Sequence, residues 1–190
     1  MTYRINYLCL ITFLITCSFV SCKDVLIPKP DALLSLEYPK AQYETVQNDC
    51  SFSFEKNNWA SLEQKPSCGF EIHYPAMKAT VFINYKPIDN NLTALLKDAQ
   101  KLTYEHFIKA DEITSQPFVN DQDKVYGMFY SVSGDAATNA QFYATDSVKN
   151  FMVASLYFYA KPNYDSILPA AEYIKKDMYR LMESIHWKNK

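Results

Sequence analysis

The run Phe151-Met-Val-Ala-Ser-Leu-Tyr-Phe-Tyr159 has no polar face. Read as a strand, it puts Phe151, Val153, Ser155, Tyr157 and Tyr159 on one side and Met152, Ala154, Leu156 and Phe158 on the other, because successive side chains alternate across the pleat. Neither side can face water cheaply, so the strand belongs in the middle of a sheet with cover on both faces. The rest of the chain has to supply neighbouring strands and that cover.

Helical spacing supplies the cover. Leu92, Leu95, Leu96, Ala99, Leu102, His106 and Phe107 recur at the period of one helix face, with Asn90 and Asn91 placed to cap its start. A longer stripe of Ile167, Ala171, Ile174, Met178, Leu181 and Ile185 follows Asp165 or Ser166 as cap, with Pro169 near the first turn. The stripe is too short for a coiled coil and fits a helix packed on a sheet.

Strand-like segments precede the first helix at Leu33 to Tyr38, Gln42 to Val46, Phe52 to Glu55, Gly69 to Tyr74 and Lys78 to Lys86. After it comes a less regular segment, Ile113 to Val119. Three strands follow at Lys124 to Val132, Ala140 to Thr145 and Asn150 to Ala160, with turns marked by Ser133-Gly134-Asp135 and Asp146-Ser147. Short connections make these strands antiparallel neighbours. The order predicts an α+β fold over 32–190, a single domain with an antiparallel sheet covered by two helices. In element order it resembles the Mog1/PsbP-like layered architecture, which hosts mainly accessory and assembly proteins.

Residues 1–21 read as a lipoprotein signal peptide. Arg4 is the sole charge before an apolar run ending Phe19-Val20-Ser21-Cys22, too short to span a bilayer core. Serine before cysteine resembles a bacterial lipobox, in which Cys22 becomes the acylated mature N-terminus. Residues 22–31 then form a lipidated tether kept extended by Pro28 and Pro30. Cys9 and Cys17 leave with the signal, so Cys50 and Cys68 remain as a pair. In an exported protein one disulfide is the simplest use of such a pair. A metal pair lacks further ligands at suitable spacing, and a redox centre would normally show C-x-x-C.

Candidate chemistry is sparse. His73, His106 and His186 show no zinc-binding spacing and read as surface or interface side chains. Ser131-Val-Ser-Gly-Asp135 reads as a hairpin turn rather than a nucleophile elbow. Asn120-Asp-Gln-Asp-Lys124 lacks the later positions of a calcium loop and reads as a solvated turn. With 3 glycines in 190 residues there is no phosphate-cradling loop. A formal net charge of −2 gives no basis for a nucleic-acid partner. No catalytic constellation, cofactor or metal site is expected.

The aromatic content is the remaining signal. Of 15 tyrosines, Tyr126, Tyr130, Tyr143, Tyr157, Tyr159, Tyr164, Tyr173 and Tyr179 exceed what a small core can hold with every hydroxyl satisfied. Tyr157, Tyr159 and Tyr164 form the candidate interaction surface for protein contact. Ordinary β-propensity accounts equally for such rings, and a pocket between sheet and helix for a small apolar or aromatic ligand stays open as the alternative.

Several blocks give the chain a family likeness: Asp49-Cys-Ser-Phe-Ser-Phe-Glu55, Cys68-Gly-Phe-Glu-Ile-His-Tyr-Pro75, Lys78-Ala-Thr-Val-Phe-Ile-Asn-Tyr-Lys-Pro-Ile-Asp-Asn-Asn-Leu92, Lys124-Val-Tyr-Gly127, Gln141-Phe-Tyr-Ala-Thr-Asp-Ser147, Ala154-Ser-Leu-Tyr-Phe158 and Trp187-Lys188. On these the chain resembles the GldD family of gliding-motility lipoproteins of Bacteroidetes. Ser51 and Gly69 depart from the proline and tryptophan usual beside the family's two cysteines, and Ala32 from a usual glycine. The resemblance implies a lipid-anchored envelope component, attached through Cys22 and facing the periplasm. Its implied partners are the membrane and the gliding and type IX secretion proteins, with Cys50 and Cys68 disulfide-bonded. The expected role is a non-enzymatic assembly or stability subunit.

Overall fold

A computed structural model describes residues 37–105, 110–159 and 164–188, with side chains of 102–105 and 164 excepted. The signal, the tether, Cys22, His106, Phe107 and the side chains of Leu102 and Tyr164 lie outside the described residues. So does most of the segment expected as a strand at Leu33 to Tyr38.

The chain first lays down a ribbon of three short strands, β1 (Tyr43–Thr45), β2 (Phe52–Ser53) and β3 (Glu55–Asn57). Then come β4 (Ser61–Lys65), β5 (Gly69–Tyr74) and β6 (Ala79–Pro87), followed by helix α1 (Leu92–Glu105). Four consecutive strands follow: β7 (Glu112–Asn120), β8 (Val125–Ser133), β9 (Thr138–Thr145) and β10 (Asn150–Phe158). Helix α2 (Tyr164–Glu183) and β11 (His186–Trp187) close the described chain. Seven strands form one antiparallel sheet in the order β4-β5-β6-β10-β9-β8-β7, while β1 pairs with β3 and β11 with β2.

The strand with no polar face, β10, is the central one. Its Met152, Ala154 and Leu156 are buried in the main core with Ile174, Met178, Leu181 and Met182 of α2. The opposite face is covered less completely. Phe151 and Val153 pack with Leu95 and Ala99 of α1, but further along Tyr157 is half-buried and Tyr159 is 64% exposed.

Beside α2, the ribbon covers β5 and β6. Phe52, Phe54 and Phe70 interlock with ring centroids 5.3–6.1 Å apart. A disulfide joins Cys50, just before β2, to Cys68, just before β5. The ribbon is also clasped to α2 by a buried carboxylate. Asp177 accepts hydrogen bonds from the Tyr43 hydroxyl at 2.7 Å, the Asn57 amide at 2.8 Å and the Tyr74 hydroxyl at 3.0 Å. Three donors satisfy a charge that would otherwise be costly to bury. Burial and the neighbouring Asp177 raise the Tyr43 and Tyr74 phenols far above their ordinary value, so both remain donors.

Strand β11 is not expected from the sequence, which reads His186 as lying near a helix end, and two strands of the large sheet also depart from expectation. Ile113–Val119, read as irregular, lies within the nine-residue strand β7, and β4 was not expected. Both are sheet edges and largely exposed, so neither carries the alternation that marks a half-buried strand. Pro117 is tolerated in β7 because an edge strand has one side without a ladder partner. Asn91 stands at the start of α1, but its side chain turns to the preceding loop and not to the N–H groups of the first turn. The Asn91 carbonyl accepts the Leu95 N–H, while its side-chain oxygen accepts from Asp89.

One glycine fixes how closely α2 approaches the sheet. A Cβ on Gly127 of β8 would lie 2.0 Å from the Tyr143 carbonyl oxygen and 2.7 Å from the Met182 methyl. Any side chain there would force strand and helix apart.

Candidate interaction face of the sheet

The face of the sheet that bears α1 carries the candidate site. On β6, half-buried Phe82 and exposed Asn84 and Lys86 share one side with Thr80, itself buried, and alternate with Val81 and Ile83, which point into the core. Register places Phe82 opposite Ser155 and Asn84 opposite Val153 on β10. The Phe82 and Tyr157 rings meet edge to face, 5.6 Å between centroids. Tyr159, one residue beyond β10, is positioned by its own N–H on the Lys78 carbonyl and by its hydroxyl on Thr80 Oγ1 at 3.1 Å. Its ring is thereby held in place yet left in solvent.

Two hollows flank this aromatic strip. An open groove of about 500 Å³ is lined by Phe82, Val153, Tyr157 and Tyr159. A narrower one of about 350 Å³ runs between the sheet and α1 against Leu95, Asp98, Ala99 and Phe151. Asn84 and Val153 line both, so the two hollows adjoin along this face, together called the trough. Its floor under α1 is firm: Gln141 Nε2 donates to the Ala99 carbonyl and Ser155 Oγ to Gln141 Oε1.

Toward the β4 edge the same face becomes charged. Glu71 pairs with Phe82 across β5 and β6, and with Glu63 across β4 and β5. Lys65 Nζ lies 2.6 Å from Glu63 and 3.3 Å from Glu71, and His73 Nε2 lies 3.5 Å from each. The Lys65 ammonium beside Glu63 holds that carboxyl below the usual carboxylate range, and Glu63 raises Lys65 in return. His73 Nδ1 is 3.0 Å from Thr80 Oγ1, the same oxygen that Tyr159 contacts. Glu63, Glu71 and His73 could each offer one ligand atom to a cation, but the Lys65 ammonium already serves both carboxylates there.

The other sequence-selected residues are placed elsewhere. His186 lies on β11, with Nδ1 at 2.9 Å from Asp123 in the β7–β8 turn. That contact, with a second from Asn120, holds the Asp123 carboxyl below its usual range. Tyr130 is buried, and Tyr143 stacks on Phe151 with centroids 5.9 Å apart. Tyr173 and Tyr179 are half-buried on α2, away from Tyr157 and Tyr159. The structure therefore brings Tyr157 and Tyr159 together, while Tyr164 enters as the first residue of α2 with no side chain described. Sequence reasoning passed over Phe82. Its signal is an aromatic ring sharing one side of β6 with the polar residues Asn84 and Lys86.

Comparison with known proteins adds to this geometry. No curated protein sequence gives a significant match. The profile of the family described as gliding motility lipoprotein GldD matches residues 23–187, beginning at the residue after Cys22. That span takes in every described element from β1 to β11. The chain thus belongs to the GldD family of gliding motility lipoproteins.

Proposed function

We propose that the protein is a non-enzymatic assembly or stability subunit of the gliding and type IX secretion machinery, anchored through acylated Cys22 and facing the periplasm. Family membership supports a lipid-anchored role in gliding. The observation that carries the assembly role is the aromatic trough itself. Phe82, Tyr157 and exposed Tyr159 occupy a rigid sheet face beside a charged ladder, the mixture of aromatic centre and polar rim found at protein interfaces. A tether raises the local concentration of such a face for membrane-bound partners into the ~mM range. The reading includes a Mog1/PsbP-like layered architecture, in which helices lie on an antiparallel sheet.

Substituting Tyr157→Ser with Tyr159→Ser tests the role. Envelope proteins that co-purify with the gently solubilised native protein should be lost, with the melting temperature of the domain little changed. A Cys22→Ala strain should lose the same partners together with membrane attachment. Partners retained by the tyrosine variant would refute the assignment of this face.

A second reading rests on the trough between sheet and α1, whose apolar wall of Leu95, Ala99 and Phe151 suits a small apolar or aromatic ligand. Under that reading a small molecule co-purifies, and filling the hollow with Ala99→Phe releases it while leaving protein partners in place.

A further inference from the structure

A different surface lies at the end of the sheet where the described chain begins. Trp59, in the β3–β4 turn, is 62% exposed. The turn beneath it is tightly determined: the Trp59 N–H donates to Asn57 Oδ1, the Ala60 N–H to the Asn57 carbonyl and Lys56 Nζ to the Ala60 carbonyl. Asn57 is itself buried and held by Asp177. A large apolar ring is thus presented to solvent by a turn with little freedom to withdraw it.

The position of that ring is informative. The Asn58 N–H donates to the Gln42 carbonyl, so the turn sits directly on the segment through which the chain comes in from its N-terminal side. Ser61 pairs with His73, and the exposed Pro75 and Ala76 form the next turn at the same end of the sheet. Cys22 lies twenty residues before Gln42, a stretch that reaches at most about 70 Å when extended. Such a tether keeps the domain near the bilayer without fixing its height or orientation. A second, weak contact is then strongly favoured by proximity, and Trp is the side chain best suited to the membrane–water interface.

We infer that Trp59, flanked by the Pro75–Ala76 turn, rests in the headgroup region of the membrane that holds the lipid anchor, and so sets the domain end-on to the bilayer. The inference rests on the lipid-anchor reading and goes beyond it by assigning the contacting side chain. Tyr159, whose N–H bonds the Lys78 carbonyl, lies at this same end, whereas the part of the trough under α1, at Phe151 and Leu95, lies toward the other end of the strands and stays open to partners in that pose.

The sequence contains 2 tryptophans, and the other, Trp187, is buried with its Nε1 on the Lys124 carbonyl. Trp59 emission can therefore be read as the difference between the native protein and Trp59→Phe. The acylated full-length protein is reconstituted into vesicles of phosphatidylethanolamine and phosphatidylglycerol with brominated acyl chains, then recovered by flotation. The expected result is loss of the Trp59 emission on brominated relative to unbrominated vesicles, with shielding from aqueous iodide. Floated protein whose Trp59 emission ignores bromine overturns the contact and leaves the anchor standing. That holds whether iodide reaches the ring or a protein neighbour shields it. Protein that fails to float overturns anchor and contact together.

Discussion

The disulfide between Cys50 and Cys68 gives the most direct quantitative test of how the ribbon is held. It closes a loop with a sequence separation of 18, for which the lost entropy of the unfolded chain corresponds to about 3 kcal/mol. In a folded unit of this size each kcal/mol moves the midpoint by about 2–4 °C, so breaking the bond should lower Tm by about 6–12 °C. Two perturbations separate the cross-link from packing. Reduction leaves both sulfurs in place, whereas Cys50→Ala also empties space at a position only 3% exposed. Thermal unfolding followed by circular dichroism, with and without reductant, measures the first. The double substitution Cys50→Ala/Cys68→Ala measures both and should melt lower still. A reduced protein that melts within about 1 °C of the oxidised one would refute the reasoning, since the chain-entropy effect is then absent.

Other expectations follow from the core and the turns. Gly127→Ala should destabilise by at least about 2 kcal/mol, because the new methyl meets the Tyr143 backbone, and urea unfolding reads this directly. Asp177→Ala should cost about 3 kcal/mol by orphaning the donors of Tyr43, Asn57 and Tyr74, and protease should then cut first within the ribbon. The Asp146 carboxyl gives an acid dependence. Burial opposes its charge, but the N–H groups of Asn150, Val148 and Lys149 outweigh this and hold it below its ordinary value of 3.8. Its contribution is therefore complete above that value and is lost as pH falls through the folded pKa. An acid titration of stability should show a smaller loss below about pH 4 in Asp146→Asn than in the native protein.

The parts of the fold legible in the sequence are those where burial is strong on a regular period. The two-sided apolar run had to become the central strand, and the Ile174–Met178–Leu181 stripe had to lie on a core. Edge strands left no such mark. Ser61–Lys65 and Glu112–Asn120 are mainly exposed, and they form strands because a neighbour offers its ladder rather than because their own side chains demand it. The candidate face was half legible for a related reason. Tyr157 and Tyr159 stood out as excess rings, but their partner Phe82 is brought to them by a pairing of β6 with β10 that spans α1 and three intervening strands. The Asp177 clasp joins residues from four elements, and no local pattern announces it.

That same pairing of β6 with β10 has a consequence for how the chain reaches its folded state. β4, β5 and β6 lie on one side of β10 and β7, β8 and β9 on the other, so the seam that unites the two halves forms last along the sequence. A chain delivered N-terminus first across a membrane leaves β6 with a bare, apolar edge until residues 88–149 have followed and β10 arrives. Closure of such a long loop is slow, and an unpaired edge of this kind is a template for aggregation in the interval. The sheet therefore closes only when β10, the last of its seven strands in the sequence, is available, and until then the edge of β6 stays unpaired.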